Sequence, residues 1–194
     1  MSRINDDQLK QLIEAALFVA DGPMSARGLK QTVLAEFAVS TGRINEVLDE
    51  LELDYRPRGI QLVKVAGGYR FQSHPELSPF LGALWQERAP RYSRALLETL
   101  ALIAYRQPVT RGEIEKVRGV SVSANIMRTL SDRGWIAIIG HKEVPGRPAL
   151  YATTDEFLQY FCLDSLADLP SLEDEQALTT LLDGATAAEP SQTH

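Results

Sequence analysis

The sequence predicts a mainly helical α+β chain made of two similar halves, each with three helices followed by a small β-hairpin. Two observations carry this reading. The order of helical stripes, turn residues and β-rich runs occurs twice along the 194 residues. A motif also repeats at a spacing of 85: Pro23-Met24-Ser25-x-x-Gly28-Leu29 returns as Pro108-Val109-Thr110-x-x-Glu113-Ile114. An internal repeat of that length means duplicated domains and not a solenoid.

The first half opens with Leu9, Leu12, Ile13, Ala16, Leu17 and Ala20, the apolar stripe of an amphipathic helix that Asp21-Gly22-Pro23 ends. Ser25 is placed to cap a short second helix carrying Leu29, Val33 and Leu34. Ile44, Val47, Leu48, Leu51 and Tyr55 give a third helix, stopped by Pro57 and Gly59. Residues 60–66 and 69–73 are β-rich, and Gly67-Gly68 between them predicts a tight hairpin.

The second half follows the same order. Leu96, Leu97, Leu100, Ile103 and Ala104 form a helical stripe broken at Gln107-Pro108. Thr110 is the next cap, ahead of Ile114 and Val117 on a short helix. A third helix opens near Ser121 or Ser123, carries Ile126, Met127 and Leu130, and stops at Gly134. Residues 135–139 and 150–153 read as paired strands across a longer loop. Three helices with a hairpin "wing" is the winged-helix variant of the helix-turn-helix.

The predicted organisation is therefore a winged-helix domain over residues 1–74, a connecting helix over 75–90, a second winged-helix domain over 91–163 and an acidic, largely disordered tail over 164–194. In the connector, Ser78-Pro79 reads as a cap followed by proline in the first turn, with Phe80, Leu81, Leu84 and Trp85 on one face. After the second wing, Thr154 and Asp155 open a short helix containing Phe157, Leu158, Tyr160 and Phe161.

Composition sets the class. The chain is 44% hydrophobic and 24% charged, the balance of a globular protein. Its greasiest run, residues 15–20, is far below the roughly 20 residues of a membrane span. Asp6 and Asp7 stand where a secretory signal carries positive charge. A single cysteine, Cys162, makes neither an internal disulfide nor a cysteine zinc site, so a cytoplasmic setting is expected.

The net charge of −6 is unevenly spread. Residues 1–90 hold 10 Lys and Arg against 12 Asp and Glu; residues 91–163 hold 10 against 7; residues 164–194 hold none against 7. The tail alone accounts for the acidity, and the second half is slightly basic.

The motifs of catalysis are missing from the sequence. No phosphate-binding glycine loop is found, and His74, His141 and His194 are not at ligand spacing. Glu113 and Glu115, two apart, point about 160° away from each other on a helix. Cys162 has Asp155 and Asp164 nearby and no close histidine, which opposes thiolate formation. No enzyme, cofactor or metal is expected.

DNA binding, the common use of a winged helix, can be weighed by charge. The third helix of the first half carries Glu46, Asp49, Glu50, Glu52 and Asp54, a face that phosphates repel. The second half offers Asn125 and Arg128 for bases and Arg111, Lys116, Arg118, Arg128 and Lys142 for backbone contacts, or these are an ordinary solvated basic face. The alternative function is thus a winged-helix DNA-binding transcription regulator. Phe80, Leu81, Leu84 and Trp85 exceed what a three-helix core absorbs, and are read as a dimer interface over a brace between domains.

The segment Ala104-Tyr105-Arg106-Gln107-Pro108-Val109-Thr110-Arg111-x-Glu113-Ile114-Glu115, followed by Val117-Arg118-Gly119-Val120, resembles the hallmark of the segregation and condensation protein B family. So do the stretch from Gly146-Arg147-Pro148 through Tyr160-Phe161 and the sequence Asp164-Ser165-Leu166-Ala167-Asp168-Leu169-Pro170. The first half is similar through residues 13–18 and Gly67-Gly68-Tyr69-Arg70, so the likeness spans about residues 7–172. Cys162 departs from it, standing where a small residue such as glycine is commoner.

The resemblance implies tandem winged helices used for protein binding and a homodimer formed mainly through the first domain. It implies a kleisin partner (ScpA-like) that bridges an SMC ATPase, and a nucleoid-associated role in chromosome condensation and segregation during cell division. DNA contact would be indirect or weak, and no membrane is involved. On this reading Tyr105, Arg147, Pro148, Tyr151, Phe157 and Phe161 form the kleisin-binding surface.

Overall fold

The computed structural model describes residues 3–84 and 92–171. The chain divides into two compact units, Met1–Glu87 and Arg88–His194, and each builds helices and a small antiparallel sheet around its own core.

In the first unit, α1 (Asp6–Val19) begins at a capping box: the Gln8 N–H donates to Asn5 Oδ1 at 2.8 Å while the Gln8 side chain accepts from the Asn5 N–H. Leu9, Ile13, Ala16 and Leu17 are its buried face. The short α2 (Ala26–Gln31) is capped by Ser25, whose Oγ accepts from the Gly28 N–H at 3.0 Å. It stops before Val33 and Leu34, contrary to the sequence expectation; Leu34 still reaches the core from the turn that follows, and Val33 is exposed. α3 (Thr41–Tyr55), capped by Ser40, buries Ile44, Val47, Leu48, Leu51 and Tyr55.

The hairpin pairs β1 (Ile60–Val65) with β2 (Gly68–Ser73), and Val65 lies opposite Gly68. The turn is therefore Ala66-Gly67, not Gly67-Gly68, with φ of 50° and 71°. Two positive φ values in a two-residue loop match the twist of the strands it joins. Gly68 has a different task. A Cβ there would lie 3.0 Å from the backbone of Pro23 and Met24, because Met24 and Tyr69 exchange backbone hydrogen bonds at 3.0 and 2.9 Å.

The connector is not the continuous helix that the sequence suggests. A 3-10 turn (Pro75–Leu77), one turn of helix, α4 (Ser78–Leu81), and a second 3-10 turn (Gly82–Leu84) follow one another. Ser78 lies inside the helix and makes no side-chain cap, since Leu77 occupies the cap position.

In the second unit, α5 (Arg94–Arg106) is capped by Ser93 and buries Leu96, Thr99, Leu100, Ile103 and Ala104. After the cis Gln107–Pro108 peptide, Val109–Thr110 form β3, an element too short to show in the sequence. α6 (Arg111–Arg118) opens on a capping box between Thr110 and Glu113. Ile114 is buried on it but Val117 is exposed, so that stripe is narrower than the sequence suggests. α7 (Ala124–Asp132) is capped by Ser123.

β4 (Ile136–His141) and β5 (Ala149–Thr153) complete an antiparallel sheet of order β3-β5-β4, with a register shift between Ile138 and Gly140. Val109 pairs with Tyr151, and 85 residues earlier Met24 pairs with Tyr69. The repeated motif thus places an antiparallel pairing at the same step of each unit, a single bridge at Met24 in the first and the two-residue β3 in the second.

α8 (Asp155–Tyr160) starts at Thr154, and the chain continues into a 3-10 turn (Leu166–Asp168) capped by Ser165. Residues 164–171 continue the fold of this unit, with Leu169 packed on its core. The rest of the expected disordered tail lies outside the described residues.

Candidate functional site

Apolar surface identifies the candidate sites, one in each unit. In the first, Ala15 and Phe18 of α1, Tyr55 of α3, Ile60 of β1 and Phe71 of β2 line a groove of about 350 Å³. Phe18 and Val19 are each 74% exposed. The floor is braced by a hydrogen bond from the Tyr55 hydroxyl to Glu14, which raises the Tyr55 pKa, and by ring contact between Tyr55 and Phe71 at 4.6 Å. Sequence reasoning placed the spare apolar face in the connector. There Phe80 and Leu84 are exposed and Leu81 is half-buried, while Trp85 lies outside the described residues.

The acidic face of α3 is held by neighbouring cations. Arg43 pairs with Asp6, Glu46 and Glu50 at 3.2, 2.9 and 3.3 Å, and Lys10 with Glu50 and Asp54 at 3.2 and 2.8 Å. Asp49 and Glu52 add further exposed carboxylates to the same helix.

In the second unit, a groove of about 580 Å³ lies along α5 and α6. Leu102, Pro108, Val109, Ile114 and Val117 line it, with Arg106, Lys116 and Glu113 as its charged members. Glu113 is fully engaged. It accepts from Lys142 at 2.5 Å and from the Thr110 N–H and hydroxyl, each at 2.9 Å. The Lys142 contact first, then the Thr110 donors, lower its pKa to about 2. Arg106 and Lys116 are exposed and carry no ion pair among the described residues. Of the residues that line this groove, Lys116 alone is a binding candidate on the sequence, as a DNA backbone contact. Its apolar lining is created by α5 packing beside α6, and the family-like segment from Ala104 to Val117 supplies most of it.

The residues expected to meet a kleisin fall into separate environments. Phe157 and Phe161 are 2% and 7% exposed and belong to the core, where their rings meet at 4.8 Å and Phe161 also packs on Trp135 at 5.6 Å. That corrects their place on a binding surface: α8 is short, and its aromatic face closes the core. Tyr105 is half-buried and its hydroxyl donates to the Pro170 carbonyl at 2.5 Å; burial raises its pKa. Tyr151 is half-buried at the centre of the sheet.

Arg147 and Pro148 lie in the β4–β5 loop. The Arg147 N–H donates to Val144, Pro148 accepts from the Lys142 N–H, and the Arg147 side chain pairs with Glu143 at 3.0 Å. Arg147 has φ of 36° beside Gly146 at 85°, so the loop tip is tightly turned.

The residues suggested for DNA backbone contact are also redistributed. Arg118 is 10% exposed and is withdrawn from any such role: it donates to Thr99 Oγ1 at 3.1 Å and to Glu98 at 3.0 Å. Arg111 pairs with Glu115 at 3.1 Å, and Lys142 with Glu113. Lys116 and Arg128 are exposed without an ion pair among the described residues. Among those residues, no group of three His, Cys, Asp or Glu could hold a metal ion, and no helix is long and apolar enough to cross a membrane.

Comparison with known proteins adds a family. The model of the segregation and condensation complex subunit ScpB matches residues 11–172. A segregation and condensation protein B homolog of Coxiella burnetii (strain RSA 493 / Nine Mile phase I) is 53% identical over 174 residues, covering 90% of this chain and 82% of its own. Segregation and condensation protein B of Moorella thermoacetica (strain ATCC 39073 / JCM 9320) is 46% identical over 173 residues, covering 88% and 86%. The crystal structure of ScpB from Mycobacterium tuberculosis is 35% identical, covers 81% of this chain and 96% of its own, and aligns with a TM-score of 0.40.

Proposed function

The chain belongs to the segregation and condensation complex subunit ScpB family, and from that premise we propose that it is a non-catalytic accessory subunit of an SMC–kleisin complex. It acts at the nucleoid in chromosome condensation and segregation, as a homodimer that binds an ScpA-like kleisin and reaches the SMC ATPase through it. The family match across both units is the observation that carries the reading.

Each unit is proposed to be a winged helix: three helices, a short antiparallel pairing after the first of them, then a hairpin, in the same order twice. In such a fold α3 stands where a DNA-reading helix would lie. Its carboxylates, gathered around Arg43 and Lys10, suit a protein partner and repel phosphate. The kleisin-facing surface of the second unit is assigned to Arg147, Pro148, Tyr151 and the side of Tyr105 that remains accessible. The dimer contact is assigned to apolar residues of the connector: the exposed Phe80 and Leu84, the half-buried Leu81, and Trp85, which lies outside the described residues.

The test is affinity purification of the tagged chain from its own cells at moderate salt, with nuclease treatment and mass spectrometry. Recovery of a kleisin with an SMC ATPase supports the reading. Retention of DNA instead, lost by roughly 10³-fold between 50 and 200 mM salt if six phosphates are contacted, would favour a transcription regulator. Leu81→Glu should yield monomers by light scattering, and an unchanged mass removes the connector from the interface.

A further inference from the structure

The α5–α6 groove pairs an apolar lining with two exposed cations, Arg106 and Lys116, that have no ion pair among the described residues. Glu113, the carboxylate on that lining, is already neutralised by Lys142. A complementary occupant is therefore acidic and leucine-rich. The chain itself carries such a segment beyond its described residues: in 172–182, Glu173, Asp174 and Glu175 precede Leu178, Leu181 and Leu182, and no Lys or Arg occurs anywhere in 172–194. The three leucines fall at i, i+3, i+4 spacing, the pattern of a single helical face.

The fold delivers that segment to the groove. Leu169 packs on the core, and the Tyr105 hydroxyl holds the Pro170 carbonyl at 2.5 Å. Tyr105 is the neighbour of Arg106 on α5, so the chain leaves the described fold about 100° around one helix from a groove residue. A helix with its side chains is roughly 10 Å across, whereas eleven residues span about 16 Å when helical and up to about 36 Å when extended. Tethering at that distance gives an effective concentration on the order of millimolar, so weak intrinsic affinity suffices.

We propose that residues 172–182 dock in cis into the α5–α6 groove, leucines on its apolar lining and carboxylates against Arg106 and Lys116. The groove is then shielded by its own chain, and any partner that uses it must displace the tail.

The experiment uses the ¹⁵N-labelled full chain with Cys162→Gly and Ala177→Cys, the latter bearing a nitroxide. At low ionic strength, amide signals of residues 102–106 and 113–117 should lose more than half their intensity to the spin label. They should recover in Arg106→Glu with Lys116→Glu, and also when Glu173, Asp174 and Glu175 are all changed to Gln, a variant that touches none of the described fold. Attenuation confined to residues 163–171 would overturn the proposal, as would attenuation unchanged by either set of substitutions. Attenuation in a mixture of spin-labelled ¹⁴N chain and unlabelled ¹⁵N chain would assign the contact to a second copy and also overturn it. No kleisin enters this experiment, so its outcome is independent of the proposed function.

Discussion

Arg118, the last residue of α6, donates from Nη1 to the hydroxyl of Thr99, which is fully buried in α5, and Thr99 in turn donates to the Ala95 carbonyl at 2.8 Å. The guanidinium thereby ties two helices at a polar point inside the second unit, and its other arm holds Glu98, whose pKa it lowers. Arg118→Met should cost about 1–2 kcal/mol of stability in urea denaturation, since it removes charge-assisted hydrogen bonds at a mostly buried site. Lys116→Gln, on the exposed side of the same helix, should stay within about 0.5 kcal/mol.

The first hairpin should respond in opposite directions to two neighbouring changes. Gly68→Ala pushes a methyl group against the Pro23–Met24 backbone, which has no flexible end to give way, and should lower stability by about 1–3 kcal/mol. Ala66→Asn, at φ of 50° in the turn, should raise it by about 0.5–1 kcal/mol because asparagine tolerates the left-handed region. Thermal unfolding followed by circular dichroism reads both.

Glu113 predicts a pH dependence. Its folded pKa, about 2, lies below the ordinary 4.5, so its contribution is fully present above about pH 4.5 and is lost as pH falls through 2. The side chain is 42% exposed and solvent screens it, so that contribution is about 1 kcal/mol and not the larger figure the shift alone implies. Glu113→Gln should therefore be less stable than the parent at pH 7, and the difference should close between pH 4.5 and 2 in denaturant titrations. An equal difference at pH 2 and pH 7 would contradict it.

Phe157 and Arg147, both expected from the sequence on the kleisin-binding surface, should respond differently to truncation. Phe157→Ala empties a core site and should cost about 3–5 kcal/mol. Arg147→Ala, in the exposed loop, should leave stability within about 0.5 kcal/mol while weakening kleisin capture if the loop makes that contact. Urea denaturation of each variant, with pull-down of the folded one, distinguishes packing from binding.

What could be read in advance was local. Ser25, Thr110 and Thr154 cap helices where the sequence places them, and of the two candidates Ser121 and Ser123 it is Ser123 that does so, because each bond joins residues only three apart. Partners fixed from far along the chain could not be read. β3 exists only because Tyr151 and Leu150 come to lie beside Val109 and Thr110. The side of α8 that meets Trp135 made Phe157 and Phe161 core instead of surface, and no six-residue helix declares that face by itself. The α5–α6 groove likewise needs two helices in place before Leu102 and Val117 share a wall. Cys162 is a middle case: its likeness to a glycine position showed in the sequence, and its φ of 54° supplies the reason.

Each hydrophobic core is drawn from one unit alone: the residues from Leu9 to Leu62 make one, those from Leu96 to Leu163 the other. Substitutions in different cores should then add, with no interaction energy between them. For a chain of two units this separation means evolutionary freedom. One unit could accumulate carboxylates on its third helix and the other could become basic, each change screened only against the stability of the unit that bore it. The charge asymmetry between the halves is the kind of divergence such independence permits.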